Sequence, residues 1–220
     1  MNPVKHLHIF LNHLIHPFQE KRNQYNTKKH SSLYCINFVI WLILIPIKFL
    51  EIIGFSFLLN LIFKSLSKTR QLTPYEVQEL KSVFKDSITY SEIHINESSR
   101  WARLGSKTTK TNHLGFVWMH TVNFTKCINC QNKTTDMAWL IHEIVHISQF
   151  NTLGFQYIFE ALIAQHIGGY SYGGVEELKK KKPLNHYNLE QQAELIKHYY
   201  LDQNNKLYTT FASDLINHNF

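Results

Sequence analysis

Three cysteines in 220 residues are too few, and odd in number, to staple a fold through disulfides. Eight glycines and five prolines exclude collagen-like and Pro-rich low-complexity architectures. Apolar material is not scarce: 44% hydrophobic and 14% aromatic content suffices for the core of one ordinary domain, which excludes wholesale disorder. Acid is what the N-terminal third lacks. Residues 1–70 carry 9 Lys/Arg against 2 acids, whereas residues 71–220 carry 14 of each, so the net charge of +7 is entirely N-terminal. A nucleic-acid-binding domain spreads its cations over the folded face that meets phosphates, and the neutral C-terminal part excludes that class of partner.

Three stretches follow one another. Residues 1–32 are basic and His-rich, with five histidines before Ser31 at spacings that define no site. Residues 33–63, from Leu33 to Phe63, hold 24 apolar side chains in 31, with Lys48 and Glu51 as the only charges. The run is too long and starts too far from Met1 for a removable signal peptide. As one helix it would measure roughly 46 Å against about 30 Å of hydrocarbon, so it tilts as a single span or bends. Bending at Pro46-Ile47-Lys48 would give two shorter apolar pieces, a monotopic helical hairpin with Lys48 and Glu51 side by side. Lys21, Arg22, Lys28 and Lys29 precede the segment, and Lys64, Lys68, Arg70 and Lys81 follow it. That balance suits a hairpin with both ends on the cytoplasmic face of the inner membrane, its lysines near anionic headgroups. A lipid surface is therefore one expected partner, and a helical hairpin packed on the rest of the protein is the rival reading.

Residues 72–220 read as a separate domain. Thr73-Pro74-Tyr75-Glu76 is a capping box with Pro at the first helical position, which predicts a helix to about Lys85. Ile93 and Ile95 alternate with polar residues as a short strand, Gly105–Asn112 reads as a polar loop, and Gly115–Phe124 reads as the strongest strand. Thr134 or Thr135 opens a helix through Phe150, Phe155–Ile167 forms another stopped by Gly168-Gly169, and Asn188 with Gln191 caps a last long helix to about Gln203. The expected class is α+β, helix-dominated, with a small sheet before the central helix.

That central helix carries His142-Glu143-Ile144-Val145-His146, an H-E-x-x-H on an apolar frame. Two imidazoles four residues apart on a helix reach one Zn²⁺ together, and the intervening Glu can take a proton from zinc-bound water. By chance alone this composition yields about 0.05 such matches. Catalytic zinc takes three protein ligands. Downstream candidates for the third are Glu160, His166, Glu176, Glu177, His186, Glu190, Glu194 and His198. Glu190 is preferred because it falls in the first turn of a capped helix, with Glu194 one turn later as the acceptor for the Nδ1 hydrogen of His142. Glu160, on its own helix among apolar neighbours, remains the alternative ligand, as does Glu194.

The pair Glu190 and Glu194 resembles the E-x-x-x-D helix of gluzincin metallopeptidases, with Glu194 where Asp is usual. More widely, LTPYEVQELKSVFKDSITYSEIHI, WMHTVNF, WLIHEIVHISQF, YIFEALIAQ, GGYSYGG and YNLEQQAELIKHYY, in that order over residues 72–203, resemble bacterial zincin-like proteins similar to the metallopeptidase-like core domains associated with contractile injection systems. The resemblance implies a zincin-like fold and a zinc metallopeptidase carried by His142, Glu143, His146 and Glu190. It leaves the apolar segment and Cys127-Ile-Asn-Cys130 unexplained.

The C-x-x-C is half a metal site at most, needing His113 and His120 to complete it, and otherwise a plain loop. Lys179–Lys182 reads as a solvated run opposing Glu176 and Glu177. Gly168–Gly174 lacks the setting and the Lys of a phosphate loop and reads as a turn bordering the cleft. The functional expectation is a membrane-associated zinc endopeptidase acting on a protein or peptide laid against the Gly115–Phe124 strand, with Glu143 as general base and Tyr172, His186 or Tyr187 at the oxyanion. The competing expectation is a non-catalytic zincin-fold module, a membrane-docked binding or injection-system component.

Overall fold

The computed structural model describes residues 67–219 except 110–112, 133 and 183–185, with scattered positions between Val39 and Ser65. The basic stretch 1–32 lies outside the described residues, as do Ile47 and Lys48 of the expected Pro46-Ile47-Lys48 hinge, while Pro46 itself is helical and exposed. The described positions of 33–63 are helical, and Val39, Leu42, Phe49, Leu58 and Leu61 among them stand about half exposed. Among the described residues no helix is long and apolar enough to cross a membrane.

From Arg70 onward the elements run β1 (Arg70–Gln71), α1 (Pro74–Phe84), a 3-10 turn (Tyr90–Glu92), β2 (His94–Glu97), α2 (Arg100–Thr109), β3 (Gly115–Trp118), β4 (Thr121–Phe124), α3 (Thr135–Leu153), α4 (Gln156–Ile163), a π-helical turn (Ala164–Gly168), α5 (Gly174–Leu178), α6 (Leu189–Leu201) and α7 (Lys206–Asn219). The architecture is α+β and helix-dominated, with a small sheet before its central helix, in the class the sequence indicates. The sheet is mixed, in the order β1-β2-β4-β3: β2 and β4 are parallel, and the outer pairs antiparallel. This order leaves β3 as an edge strand.

Caps account for most helix boundaries. Glu76 N–H donates to Thr73 Oγ1 at 3.2 Å and Thr73 N–H to Glu76 Oε2 at 2.7 Å, which starts α1 at Pro74. Thr134 Oγ1 accepts from Met137 N–H to start α3, and Gly154, at φ 63°, ends it as few other residues can. Asn188 and Gln191 form the reciprocal box that opens α6.

Three expectations fail, each for a physical reason. The stretch Gly115–Phe124 is two strands, because Met119 takes φ 53° and turns the chain at Met119-His120 without the Gly or Asn that signals a turn. Residues 105–109 belong to α2, not to a loop: Ala102 is fully buried, and Gly105 lies so close to Leu114 that a Cβ there would meet its Cδ2 at 2.8 Å. Packing of that one face overrides poor helix propensity. Nor is α6 the last helix, since α7 follows and buries Phe211 and Ala212.

The core forms where α3 crosses between the sheet and α6. From Met137 to Phe150 every residue of α3 but Trp139 is buried, the mark of a helix surrounded on all sides. Leu80, Phe84, Ile95, Val122 and Phe124 meet Ile141, Ile144 and Val145 there, and Ala193, Ile196 and Tyr200 close it from α6. Tyr200 also donates to Glu79 Oε2 at 2.6 Å, joining α6 to α1.

One polar clamp locks the start of the domain to the sheet. Arg70 grips Glu76 through Nη1 and Nη2, both at 2.8 Å, and Glu97 through Nε at 3.0 Å and Nη2 at 3.1 Å. Burial opposes charge on Glu76, but Arg70 and the Thr73 amide outweigh it and hold its carboxyl below the ordinary value. A carboxylate so lowered contributes its stability in full at neutral pH and loses it as acid takes the solution through its folded pKa. We expect Arg70→Leu to destabilise the domain by about 2–4 kcal/mol, since a buried carboxylate loses its partner while Arg70 itself is partly exposed. Adding Glu76→Gln should recover part of that loss. Denaturant unfolding measures both, and a single-variant loss below about 0.5 kcal/mol would show the clamp to be inert.

Candidate metal centre

Helical spacing places His142 and His146 one above the other on α3, with ring centroids 5.0 Å apart. Packing of α6 against α3 brings Glu190 to them from across the core. Its Oε2 lies 3.3 Å from His142 Nε2 and 3.2 Å from His146 Nε2, and all three residues are at most 5% exposed. The three ligand atoms fall within 4.8 Å of one another. Among the described residues no other His, Cys, Asp or Glu group is so placed.

Each ring is oriented from behind. His146 Nδ1 donates to Gln149 Oε1 at 2.8 Å, and Gln149 is itself fixed by donating to Leu189 O and Gln192 Oε1. His142 Nδ1 lies 3.2 Å from Glu194 Oε2, off the line of its N–H, and Glu194 is anchored by Lys197 Nζ at 2.8 Å. These partners draw a ring hydrogen to each Nδ1, and each Nε2 faces Glu190 Oε2, which accepts from it when Nε2 is protonated and converges with it as a ligand atom when it is not. Glu190 Oε1 accepts from Gln165 at 2.7 Å. Gln165 sits on the π-helical turn, whose widened backbone directs it there.

Glu143 points to the same cleft from the neighbouring position on α3. Its Oε1 accepts from Trp139 Nε1 at 3.1 Å, while its Oε2 is buried without a hydrogen-bond partner among the described residues. Gly115, the first residue of β3, runs beside it: a Cβ there would meet Glu143 Oε1 at 2.3 Å and Trp139 Nε1 at 3.0 Å, so only glycine lets the edge strand pass. Tyr170 lies over His142 at 6.0 Å between centroids, and Tyr157 over His146 at 5.5 Å.

The charges follow from this enclosure. Burial opposes protonation of His142, yet the carboxylates of Glu190 and Glu194 outweigh it and push it up to about 9. Burial likewise opposes ionisation of Glu190 and Glu194, and their histidine neighbours hold both well below the ordinary value. At Glu143 burial outweighs the lowering by the two histidines and Trp139, and its carboxyl stays raised.

Two imidazole nitrogens and a carboxylate oxygen are a donor set that could hold a divalent metal ion, zinc among them. Tetrahedral bonds of about 2.0–2.2 Å separate ligand atoms by roughly 3.3–3.5 Å, which the two distances to Glu190 approach. No family model matches the sequence, and no curated protein or solved structure matches it. The chemistry of the site is therefore read from its geometry.

Of the residues singled out in the sequence, His142, Glu143, His146 and Glu190 come together and Glu194 stands directly behind His142. Glu160 does not join them: half-buried on α4, it accepts from Gln156 at 2.6 Å. The expected oxyanion groups are placed elsewhere. Tyr172 bonds His198 at 2.5 Å and Tyr208 at 3.1 Å and Tyr187 packs on Phe211, both in a second cluster with α5, α6 and α7, while the exposed His186 meets Lys182. Tyr170 is the phenol at the site, two residues before Tyr172 on the glycine loop. That loop is pinned by Asn188 Nδ2 on Gly169 O and Gln191 Nε2 on Ser171 O, contacts that local sequence does not encode. Cys127 and Cys130 are free, His120 bonds Asn151, and burial pushes the Cys130 thiol up to about 12, so the C-x-x-C forms no second centre among the described residues. Lys179, Lys180 and Lys182 pair with Glu176 and Glu177 as the sequence suggests.

A raised imidazole stabilises the fold below the ordinary imidazole value and loses that contribution as pH rises through its folded pKa. We expect the His142 ring in metal-free protein to titrate near pH 9 by NMR, and Glu190→Gln to bring it back toward or below 6.5, because burial then acts with one carboxylate fewer. A His142 midpoint unchanged by Glu190→Gln would contradict this account of the pair.

Proposed function

We propose that the chain is a zinc-dependent metallopeptidase of zincin-like fold, held at a membrane by its apolar segment with the catalytic domain on the cytoplasmic side. One observation carries this reading: His142 Nε2, His146 Nε2 and Glu190 Oε2 converge on a buried point beside a partnerless Glu143 oxygen. Structural zinc is closed by four protein ligands, and the group here has three among the described residues, which favours catalysis over a non-catalytic module. The resemblance to zincin-like proteins rests on the H-E-x-x-H and on the order of the segments around it.

Bound by His142, His146 and Glu190, Zn²⁺ would polarise a peptide carbonyl and lower the pKa of water to about 7. Glu143 would hold a proton at Oε2 as general base and release it to a leaving amine, and burial sets its pKa nearer to working pH. Tyr170 donates its phenol hydrogen to the carbonyl oxygen as charge develops there. An extended peptide adds to the edge strand β3, whose start at Gly115 delivers it beside Glu143. Glu194 and Gln149 keep the imidazoles in register and meet no substrate.

His146→Ala should lose stoichiometric zinc, whereas Glu143→Gln should keep it and lose hydrolysis of an unfolded protein substrate by at least 100-fold. Equal activity of Glu143→Gln and wild type would remove the peptidase reading. Zinc affinity should also fall far more in Glu190→Ala than in Glu194→Ala, where about 10- to 100-fold is expected of a residue that only orients a ligand. The reverse order, read by chelator competition, would overturn the ligand assignment.

A further inference from the structure

Helix α2 plays no part in the centre, yet its exposed face is unusual. Ala102 is the residue it buries, and on the outside Trp101 is 47% and Leu104 58% exposed, one turn apart on the same face. At about 100° per residue, Arg100, Arg103 and Lys107 form a row alongside that apolar pair, and all three are exposed. The helix has no acid to balance them. An apolar pair bordered by cations is the pattern of a helix lying in a lipid interface, where aromatic and aliphatic groups enter the headgroup region and Arg and Lys reach anionic phosphates.

The face is also continuous with the apolar segment. Phe63, its last residue, stacks on Trp101 at 6.2 Å with 22° between planes and on Trp118 at 5.5 Å with 25°. Trp118 ends β3, the strand that begins at Gly115 against Glu143. Three residues of strand span about 10 Å.

We propose that α2 is a second membrane contact, docking the domain on an anionic bilayer through Trp101, Leu104, Arg100, Arg103 and Lys107 and setting the mouth of the His–Glu site close to the lipid surface. The proposal rests on membrane association of the apolar segment and adds to it a preference for anionic lipid and a fixed domain orientation. Polypeptide next to the bilayer would then be the substrate within reach of β3.

The test uses full-length protein with vesicles of phosphatidylcholine alone or with 30 mol% phosphatidylserine. A polarity-sensitive fluorophore is placed at Leu104→Cys in a Cys35→Ser, Cys127→Ser background. We expect its emission to shift to the blue on the anionic vesicles, the shift to vanish when Arg100, Arg103 and Lys107 are replaced by Glu, and that triple replacement to weaken flotation with anionic vesicles at least tenfold more than with neutral ones. Protein that floats with both vesicle types while the fluorophore and the charge reversal change nothing overturns the α2 contact and leaves the apolar anchor standing. Wild-type protein that floats with neither overturns both.

Discussion

Everything in the site depends on a single carboxylate oxygen shared by two imidazoles. Glu190 Oε2 stands within hydrogen-bond distance of both His142 and His146 at a place where water is nearly excluded. Such an oxygen is costly to bury alone and worth burying only if its neighbours carry protons or a cation. The two residues that must meet it are 44 and 48 positions away, so the pairing of α3 with α6 is what creates the site. The apolar contacts of Ile141, Ile144 and Val145 with Ala193 and Ile196 fix that pairing, and the polar atoms inherit its precision.

Support for the three atoms is layered. Gln149, Glu194 and Gln165 each touch one of the three side chains, and Gln149 and Glu194 are tied in turn to backbone or to a further side chain. Rings and carboxylate are thus held in fixed orientations, as a preorganised metal site would require. Beside them Glu143 is the one acid of the group that burial leaves raised, while Glu190 and Glu194 are lowered by histidines. In the proposed function these opposed shifts would suit Glu143 to a base role and Glu190 to a ligand role.

Much of this was legible in the sequence because its carriers are local. Thr73, Thr134 and Asn188 mark three helix starts through side-chain chemistry that acts over three residues, and His142 and His146 are related by one turn of helix. Glu190 was favoured for its place after the Asn188 cap, a local reason, although its meeting with the histidines is a tertiary fact. What escaped is what only packing decides. Met119 turns the hairpin without a turn residue, α2 forms from a Gly/Ser/Thr/Lys-rich stretch because Ala102 and Gly105 pack inward, and Tyr170 reaches the site in place of Tyr172 because Asn188 and Gln191 pin the glycine loop. Gln165 needed a π-helical turn that no residue pattern announces.

The central claim is that His142, His146 and Glu190 hold one zinc ion and that Glu194 does not. Anomalous diffraction at the zinc edge on crystals of zinc-loaded protein tests it directly. The account predicts a single peak about 2.0–2.2 Å from His142 Nε2, His146 Nε2 and a Glu190 carboxylate oxygen, with a fourth position left to solvent. A peak bonded to Glu194 or Glu160 instead of Glu190, or no peak at this group in protein that carries zinc elsewhere, would contradict it.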